Sequence, residues 1–423
     1  MKISDIRPQV YEMAERAQAR CAARFAEIDG VAEKNTLRVM EAFQDNRVSD
    51  ACFAGTTGYG YDDLGRETLD RIYAQVFGAE AALVRLGFVN GTHALTAAMF
   101  AMVKPGDTLL AVTGLPYDTL RSAIGISGDC HGSLKFYGVN YAQVDLTASG
   151  EPDYEAIKLA AAREEVAAVM IQRSRGYGER RALTVEEIGR ICAAVRAVNR
   201  GASIMVDNCY GEFTDVTEPT EVGADIMAGS LIKNPGGGLA PTGGYVAGKR
   251  ELVERAAMRL TTPGIGGECG STLGNNRLLF QGFFMAPHIV AQALKTAVFC
   301  AAMMDELGVE TSPAVEEGRS DIIQMIRLGS REDMERFCLG IQSGAPVDSF
   351  VTPEPWPMPG YDCPVIMAAG AFVQGSSIEL SADGPVREPY IAYMQGGLTY
   401  ESGKLGIMMA VSAMLSRQHS EKI

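Results

Sequence analysis

The 423-residue sequence has a single tryptophan, four histidines and aromatic residues at only 7% of its positions. Four dispersed histidines do not build a histidine-ligated metal centre. The nine cysteines, at 21, 52, 130, 192, 209, 269, 300, 338 and 363, are odd in number and scattered. There is no CxxC pair and no Cys/His cluster at zinc spacing, so no metal site is expected. The cysteines read as small core residues in a reducing cytoplasm, not as a disulfide framework. Positive charge is also short: 38 Lys and Arg face 52 Asp and Glu, a formal net charge of −14. Nucleic-acid binding needs a basic face, so that class is set aside. The N-terminal stretch carries Asp5, Glu12 and Glu15 and lacks the apolar core of a secretory signal. No apolar run approaches the roughly 18 residues of a membrane helix, so no membrane is expected as a partner. A clean GxGxxG is missing, which removes the dinucleotide fingerprint. Gly243–Lys249 does fit GxxxxGK, but Arg250 stands where a P-loop needs Ser or Thr for magnesium. That stretch reads as a strand.

What remains is an ordinary globular chain, 47% apolar and 21% charged, long enough for two domains. The first 50 or so residues read as helix, with apolar positions at Leu37, Met40 and Phe43. A glycine-rich stretch, Gly55 to Gly65, follows. Leu69, Ile72, Tyr73, Val76 and Phe77 then fall at i, i+3, i+4, i+7 and i+8 of an amphipathic helix. Strand candidates are Ala81–Leu86, Thr108–Val112, Val166–Ile171, Ser203–Asp207, Ala224–Ala228 and Tyr245–Ala247. Helices are expected at Thr92–Met102 and Thr184–Val198, the second opened by a capping-box pattern at Thr184-Val185-Glu186-Glu187. This alternation predicts a large, doubly wound, mainly parallel sheet. The composition shifts near residue 262. Beyond it lie a long apolar helix (Ala286–Leu307), strand candidates at Ile322–Leu328, Val365–Val373 and Ser377–Leu380, and a last helix near Leu405–Leu415. Prolines 353, 355, 357 and 359 interrupt this half. The expected organisation is an N-terminal helical arm (1–50), a large domain (51–262) and a smaller α+β domain (263–423).

Chemistry is concentrated at strand ends. In open α/β sheets, ligands gather at the carboxyl ends of the strands. Asp207 closes one apolar strand, and Lys233 closely follows another, among glycine and proline rather than in a charged run. Desolvation there would lower the lysine pKa and prepare it to form a Schiff base. Pyridoxal 5'-phosphate needs that pair. A lysine holds the aldehyde as an imine, and a carboxylate keeps the pyridine nitrogen protonated so that the ring accepts electrons. Asn90-Gly91-Thr92-His93, between a strand and a helix, offers backbone N–H groups to a phosphate. Ser230 adds a hydroxyl, and Tyr117 stands where a ring partner is needed.

These blocks carry a family resemblance. Gly58–Arg66, Val206–Phe213, Ser230–Gly238 and Ile378–Tyr390 together resemble the fold type I pyridoxal-phosphate enzymes of Cys/Met metabolism. The branch they are most similar to is labelled methionine gamma-lyase-like, cystathionine beta-lyase-like or aluminium-resistance protein. The resemblance runs through most of the chain. It implies that Lys233 is the Schiff-base lysine, Asp207 the pyridinium partner and Ser230 a phosphate ligand with Gly91 and Thr92. It implies Tyr117 as the stacking and proton-moving tyrosine. Tyr59 or Tyr61, with Arg66, falls where such enzymes reach a neighbouring subunit's phosphate, although the tight Tyr-x-Arg spacing is missing. His93 is a further phosphate candidate. Arg387 first, then Arg173 or Arg175, are candidates to hold a substrate carboxylate.

The expected activity is a lyase that eliminates a thiol from a small cystathionine-, cysteine- or methionine-type amino acid, leaving keto acid and ammonia. Transamination, racemisation and a retro-aldol split start from the same bound state and stand as alternatives. So does a non-catalytic stress protein that binds metal or cofactor. The expected working unit is a cytoplasmic homodimer or homotetramer with shared sites.

Overall fold

The computed structural model describes residues 1–128, 131–358 and 363–416. Cys130 and Pro359 lie outside the described residues. The chain divides into two compact units, Lys34–Met285 and Met1–Glu33 with Ala286–Ile423. The first boundary falls inside helix α1 (Pro8–Asp45).

The unit 34–285 contains helices α2 (Leu64–Val76), α3 (Gly91–Met102), α4 (Asp118–Ile124), α5 (Tyr154–Ala161), α6 (Val185–Val198) and α7 (Arg250–Leu260). Its strands are β1 (Ala81–Arg85), β2 (Thr108–Ala111), β3 (Asn140–Gln143), β4 (Val166–Gln172), β5 (Ser203–Asp207), β6 (Ile226–Ser230) and β7 (Gly244–Gly248). They form one sheet in the order β1-β7-β6-β5-β4-β2-β3. From β6 to β3 every pairing is parallel, while β7 runs antiparallel to both its neighbours. The five parallel strands are therefore aligned, and their carboxyl ends share one edge. The central strands are buried runs such as Ser203–Asp207, as a parallel sheet covered on its faces requires.

Helix α3 is rich in alanine, and Ala94, Ala97 and Ala98 are buried in the main apolar cluster with Met205, Ala228 and Val246. Small side chains let the helix lie close to the sheet, which fixes where its N-terminus points. The capping box at Thr184 forms as expected, with reciprocal bonds between Thr184 and Glu187. Leu69, Ile72, Tyr73, Val76 and Phe77 are all buried. Leu37 and Met40, expected on the apolar face of the first helix, are exposed instead, and Val39 and Ala42 are buried in their place. Gly244–Gly248 is strand, and Lys249 is the N-cap of α7, so the GxxxxGK match is not a phosphate loop. The polar edge strand β3 carries no apolar run and escaped the sequence reading.

The other unit contains most of helix α8 (Asn276–Asp305) with α9 (Arg331–Ser343) and α10 (Tyr400–Leu415). Its strands are β8 (Thr311–Ser312), β9 (Gln324–Arg327), β10 (Pro355–Trp356), β11 (Val365–Ala369), β12 (Ser381–Pro385) and β13 (Ile391–Gln395). They form an antiparallel sheet in the order β10-β11-β12-β13-β9-β8. The strand expected at Ser377–Leu380 is corrected. Pairing begins at Ser381 and runs through Ser-Ala-Asp-Gly-Pro, because β11 and β13 supply the partners that local propensity does not. The second unit boundary falls inside α8, not at residue 262. Helix α8 also corrects the statement about long apolar runs: by length and composition it could cross a membrane. Its most apolar window is 72% buried within the chain, as in a core helix.

Candidate active site

The site is built where β4, β5 and β6 end and α3 begins. Asp207 is the last residue of β5, buried, and its Oδ1 accepts the Cys209 N–H at 3.1 Å. Burial first of all raises its carboxyl above the ordinary value, while the Lys233 ammonium and the Cys209 N–H pull it down. The pull from Lys233 places the two side chains within electrostatic reach. Lys233 follows β6 by a short turn, and its Nζ stands 3.9 Å from the centre of the Tyr210 ring. The expected lowering of this lysine is corrected. Burial alone would push it down, but Cys209, Tyr210, Asp207 and Glu212 together carry it upward.

Ser230 ends β6 and is buried beside the first residue of α3. A Cβ on Gly91 would stand 3.0 Å from the Ser230 Cβ and 3.6 Å from the Cys209 sulfur. Glycine thus allows the helix N-terminus, the β6 hydroxyl and the β5 turn to meet. Asn90 is the N-cap and spends its Oδ1 on the His93 N–H, at 2.8 Å. The Thr92 hydroxyl pairs with that of Thr119 at 2.9 Å. This cradle of a helix N-terminus, a serine and a threonine is suited to an anion. His93 turns its ring back, with Nδ1 accepting the Val89 N–H at 3.4 Å and the ring edge-on to Phe88. Burial, then Arg259, lowers its pKa.

Tyr117 precedes α4, and its N–H donates to Gln172 Oε1 at 2.8 Å. Gln172 ends β4 in register with Asp207 on β5. Gln172 is therefore the link that ties the Tyr117 turn to the carboxylate strand. Sequence reasoning passed over it, although its place at a strand end was a usable signal. Tyr210 and the buried Glu212 were also missed as individuals.

Arg173 is 1% exposed and committed: Nη1 donates to Asn208 Oδ1 at 2.8 Å, Nη2 to Thr214 Oγ1 at 3.0 Å, and Glu218 lies at 3.6 Å. It braces the turn after β5, which corrects its candidacy as a substrate fork. Arg175 is likewise buried, in the segment after β4. Arg66 is 2% exposed, and its guanidinium donates to the carbonyls of Gly60, Gly270 and Glu268. It pins two loops together instead of presenting a phosphate ligand, a second correction. Tyr59 and Tyr61 stand on that pinned loop with rings stacked 5.4 Å apart, 70% and 55% exposed. Arg387 is exposed, between β12 and β13 of the other unit. Among the described residues no group of three or more His, Cys, Asp or Glu stands together to hold a metal ion.

Comparison with known proteins gives the family. The methionine gamma-lyase family matches residues 10–415. The uncharacterized protein YnbB of Bacillus subtilis is 48% identical over 406 residues, covering 96% of each chain. A crystal structure of a carbon–sulfur lyase involved in aluminum resistance from Clostridium novyi NT is 52% identical, with a TM-score of 0.93 and 96% of each chain covered. The L-methionine gamma-lyase of Pseudomonas putida is 26% identical over 213 residues, 49% of this chain and 48% of that protein. The chain belongs to the methionine gamma-lyase family and is a pyridoxal-phosphate-dependent carbon–sulfur lyase of fold type I.

Proposed function

We propose that the enzyme eliminates a thiol from a cysteine-, cystathionine- or methionine-type amino acid and releases a keto acid and ammonia. The observation that carries this reading is the convergence of Lys233, Asp207 and the Gly91–Ser230 cradle at one edge of the parallel sheet. When bound, pyridoxal phosphate supplies the electron sink for a negative charge at the substrate Cα. The N-terminus of α3, Ser230 and Thr92 would hold its phosphate, Asp207 its ring nitrogen and Lys233 its aldehyde.

The chain's own residues supply the proton traffic. Lys233 Nζ takes the proton from the substrate Cα. Asp207 keeps a positive charge in place opposite the developing negative one. As the carbon–sulfur bond breaks, its electron pair leaves with sulfur, and Tyr117 or Lys233 delivers a proton to the thiolate. Water then releases ammonia and the keto acid. Arg387 is assigned to the substrate carboxylate. Tyr59 and Tyr61 are assigned to a neighbouring copy's site in a homo-oligomer, because they are exposed on a rigidly held loop. A reducing cytoplasm suits the cysteines, which among the described residues are free.

The test is a panel of L-cysteine, cystathionine and methionine with assay of keto acid and ammonia. Stoichiometric release of thiol, keto acid and ammonia is expected from at least one. Amino-group transfer, racemisation or aldehyde release across the panel, with no thiol, would overturn the proposal.

A further inference from the structure

Glu212 is an acid with no role in the elimination above, yet it is fully buried and within the field of Lys233. Its Oε1 accepts from the Tyr245 hydroxyl at 2.8 Å, and its backbone carbonyl accepts from Asn234 Nδ2 at 2.9 Å. Its Oε2 is buried without a hydrogen-bond partner among the described residues. Strand β6 makes room for the carboxyl at Gly229, where a Cβ would stand 2.5 Å from Oε1. The same wall holds the lysine turn from a second side, since the Tyr73 hydroxyl donates to the Pro235 carbonyl at 3.4 Å. Glu212 is thus joined to the residue after Lys233 by a hydrogen bond and to Lys233 itself by its field.

A buried carboxylate with one side-chain donor is poorly compensated. Packing alone would be met better by glutamine, which keeps the Tyr245 bond and carries no charge. The groups around the carboxyl are Tyr245 from β7, Tyr73 from α2, Glu218 and Cys209 from the segment around β5, and Lys233 after β6. Burial above all, aided by Glu218, pushes Glu212 up to about 8, against its own backbone N–H, Tyr245 and Lys233. The group therefore ionises below the range in which Lys233, held upward, loses its proton, and is a charged neighbour when the amine does so. In the opposite direction, Glu212 is one of the acids that hold Lys233 in its charged form.

We propose that Glu212 is a positioning residue for Lys233: a buried acid, hydrogen-bonded to Tyr245, whose charge sets how readily the Lys233 amine releases its proton. When Glu212 is neutral, the field opposing deprotonation of the lysine weakens. When it ionises, its proton leaves to solvent and the ammonium is favoured. The inference rests on the reading of Lys233 as the reacting amine.

The experiment uses full-length protein with the cofactor removed. Competitive acylation with acetic anhydride across a pH series, read by mass spectrometry of the Lys233 peptide, gives the midpoint of Lys233 deprotonation. Glu212→Gln is expected to lower that midpoint by about one pH unit, a tenfold change in proton affinity. Tyr245→Phe removes a donor that compensates the charged carboxyl, so it should leave the midpoint at or above the parent value. Glu212→Asp, which keeps the charge, should stay near the parent value. If Glu212→Gln does not fold, the Tyr245→Phe and Glu212→Asp pair still decides. An unmoved midpoint in Glu212→Gln, or a lowered midpoint in Tyr245→Phe where only that variant folds, overturns the proposal. Borohydride reduction of the cofactor-loaded parent separates the two readings. Cofactor fixed on another lysine refutes the role of Lys233. Cofactor fixed on Lys233 with an unmoved midpoint refutes only the role of Glu212.

Discussion

Gly91 opens helix α3 so close to Ser230 that a Cβ added there would stand 3.0 Å from the serine Cβ. The relationship joins the helix N-terminus to the end of β6 and shapes the proposed phosphate cradle. Gly91→Ala is expected to push the two elements apart by a few tenths of an ångström. The cost to folding should be modest, about 1–3 kcal/mol, as for other overpacked sites. The cost to cofactor binding should be larger in proportion, at least tenfold in Kd by fluorescence titration. Binding of pyridoxal phosphate at parental affinity would show that the cradle lies elsewhere.

Asp207 is the carboxylate at the end of β5, buried and within the field of Lys233. Asp207→Asn preserves its shape and its acceptor for the Cys209 N–H but removes the charge. The cofactor should still bind, more weakly. Exchange of the substrate α-proton with deuterated solvent should fall by about 1,000-fold, the effect of roughly 4 kcal/mol on a barrier. Exchange within a few-fold of the parent would mean that Asp207 only caps its turn.

Arg173 separates a structural from a substrate-binding role. Its guanidinium is spent on Asn208, Thr214 and Glu218. Arg173→Met removes the guanidinium nearest the buried Glu218, which keeps the Phe213 N–H and the Asn208 amide as donors. Breaking a buried pair in this way costs about 3–5 kcal/mol, so urea unfolding should shift markedly. A stable variant with a strongly raised KM would restore Arg173 as the substrate fork.

These residues also show what the sequence made legible. An apolar run ending in aspartate marked β5, and an alanine-rich segment after Asn90 marked α3, because burial on a parallel sheet writes itself into local composition. The strand Ser381–Pro385 left no such mark, since Ser-Ala-Asp-Gly-Pro looks like a turn until β11 and β13 flank it. The pair Lys233 and Asp207 could be read from strand ends. The true positions of Arg66 and Arg173 could not, because their partners are carbonyls and side chains distant in sequence, such as Gly270 for Arg66. Glu212 drew no reading of its own because Tyr245, which binds it, sits on another strand.

The stacked pair Tyr59 and Tyr61 supports the last prediction. Two exposed aromatic rings are held on a loop that Arg66 fixes through three carbonyls. Such rigidity serves no purpose for a bare surface loop but suits insertion into another copy of the chain. If each copy lends its tyrosines to its partner, a protein carrying both Tyr59→Ala and Tyr61→Ala should fold normally and lose most of its turnover. Lys233→Ala should be inactive as well. Mixing the two after dissociation should restore activity, because each mixed dimer then has one site with its own Lys233 and its partner's tyrosines. Random pairing of a C2 dimer gives half mixed dimers with one working site of two, so about a quarter of parental activity should return. Native mass spectrometry confirms that mixed dimers form. No recovery in the presence of mixed dimers would place Tyr59 and Tyr61 outside the partner's site.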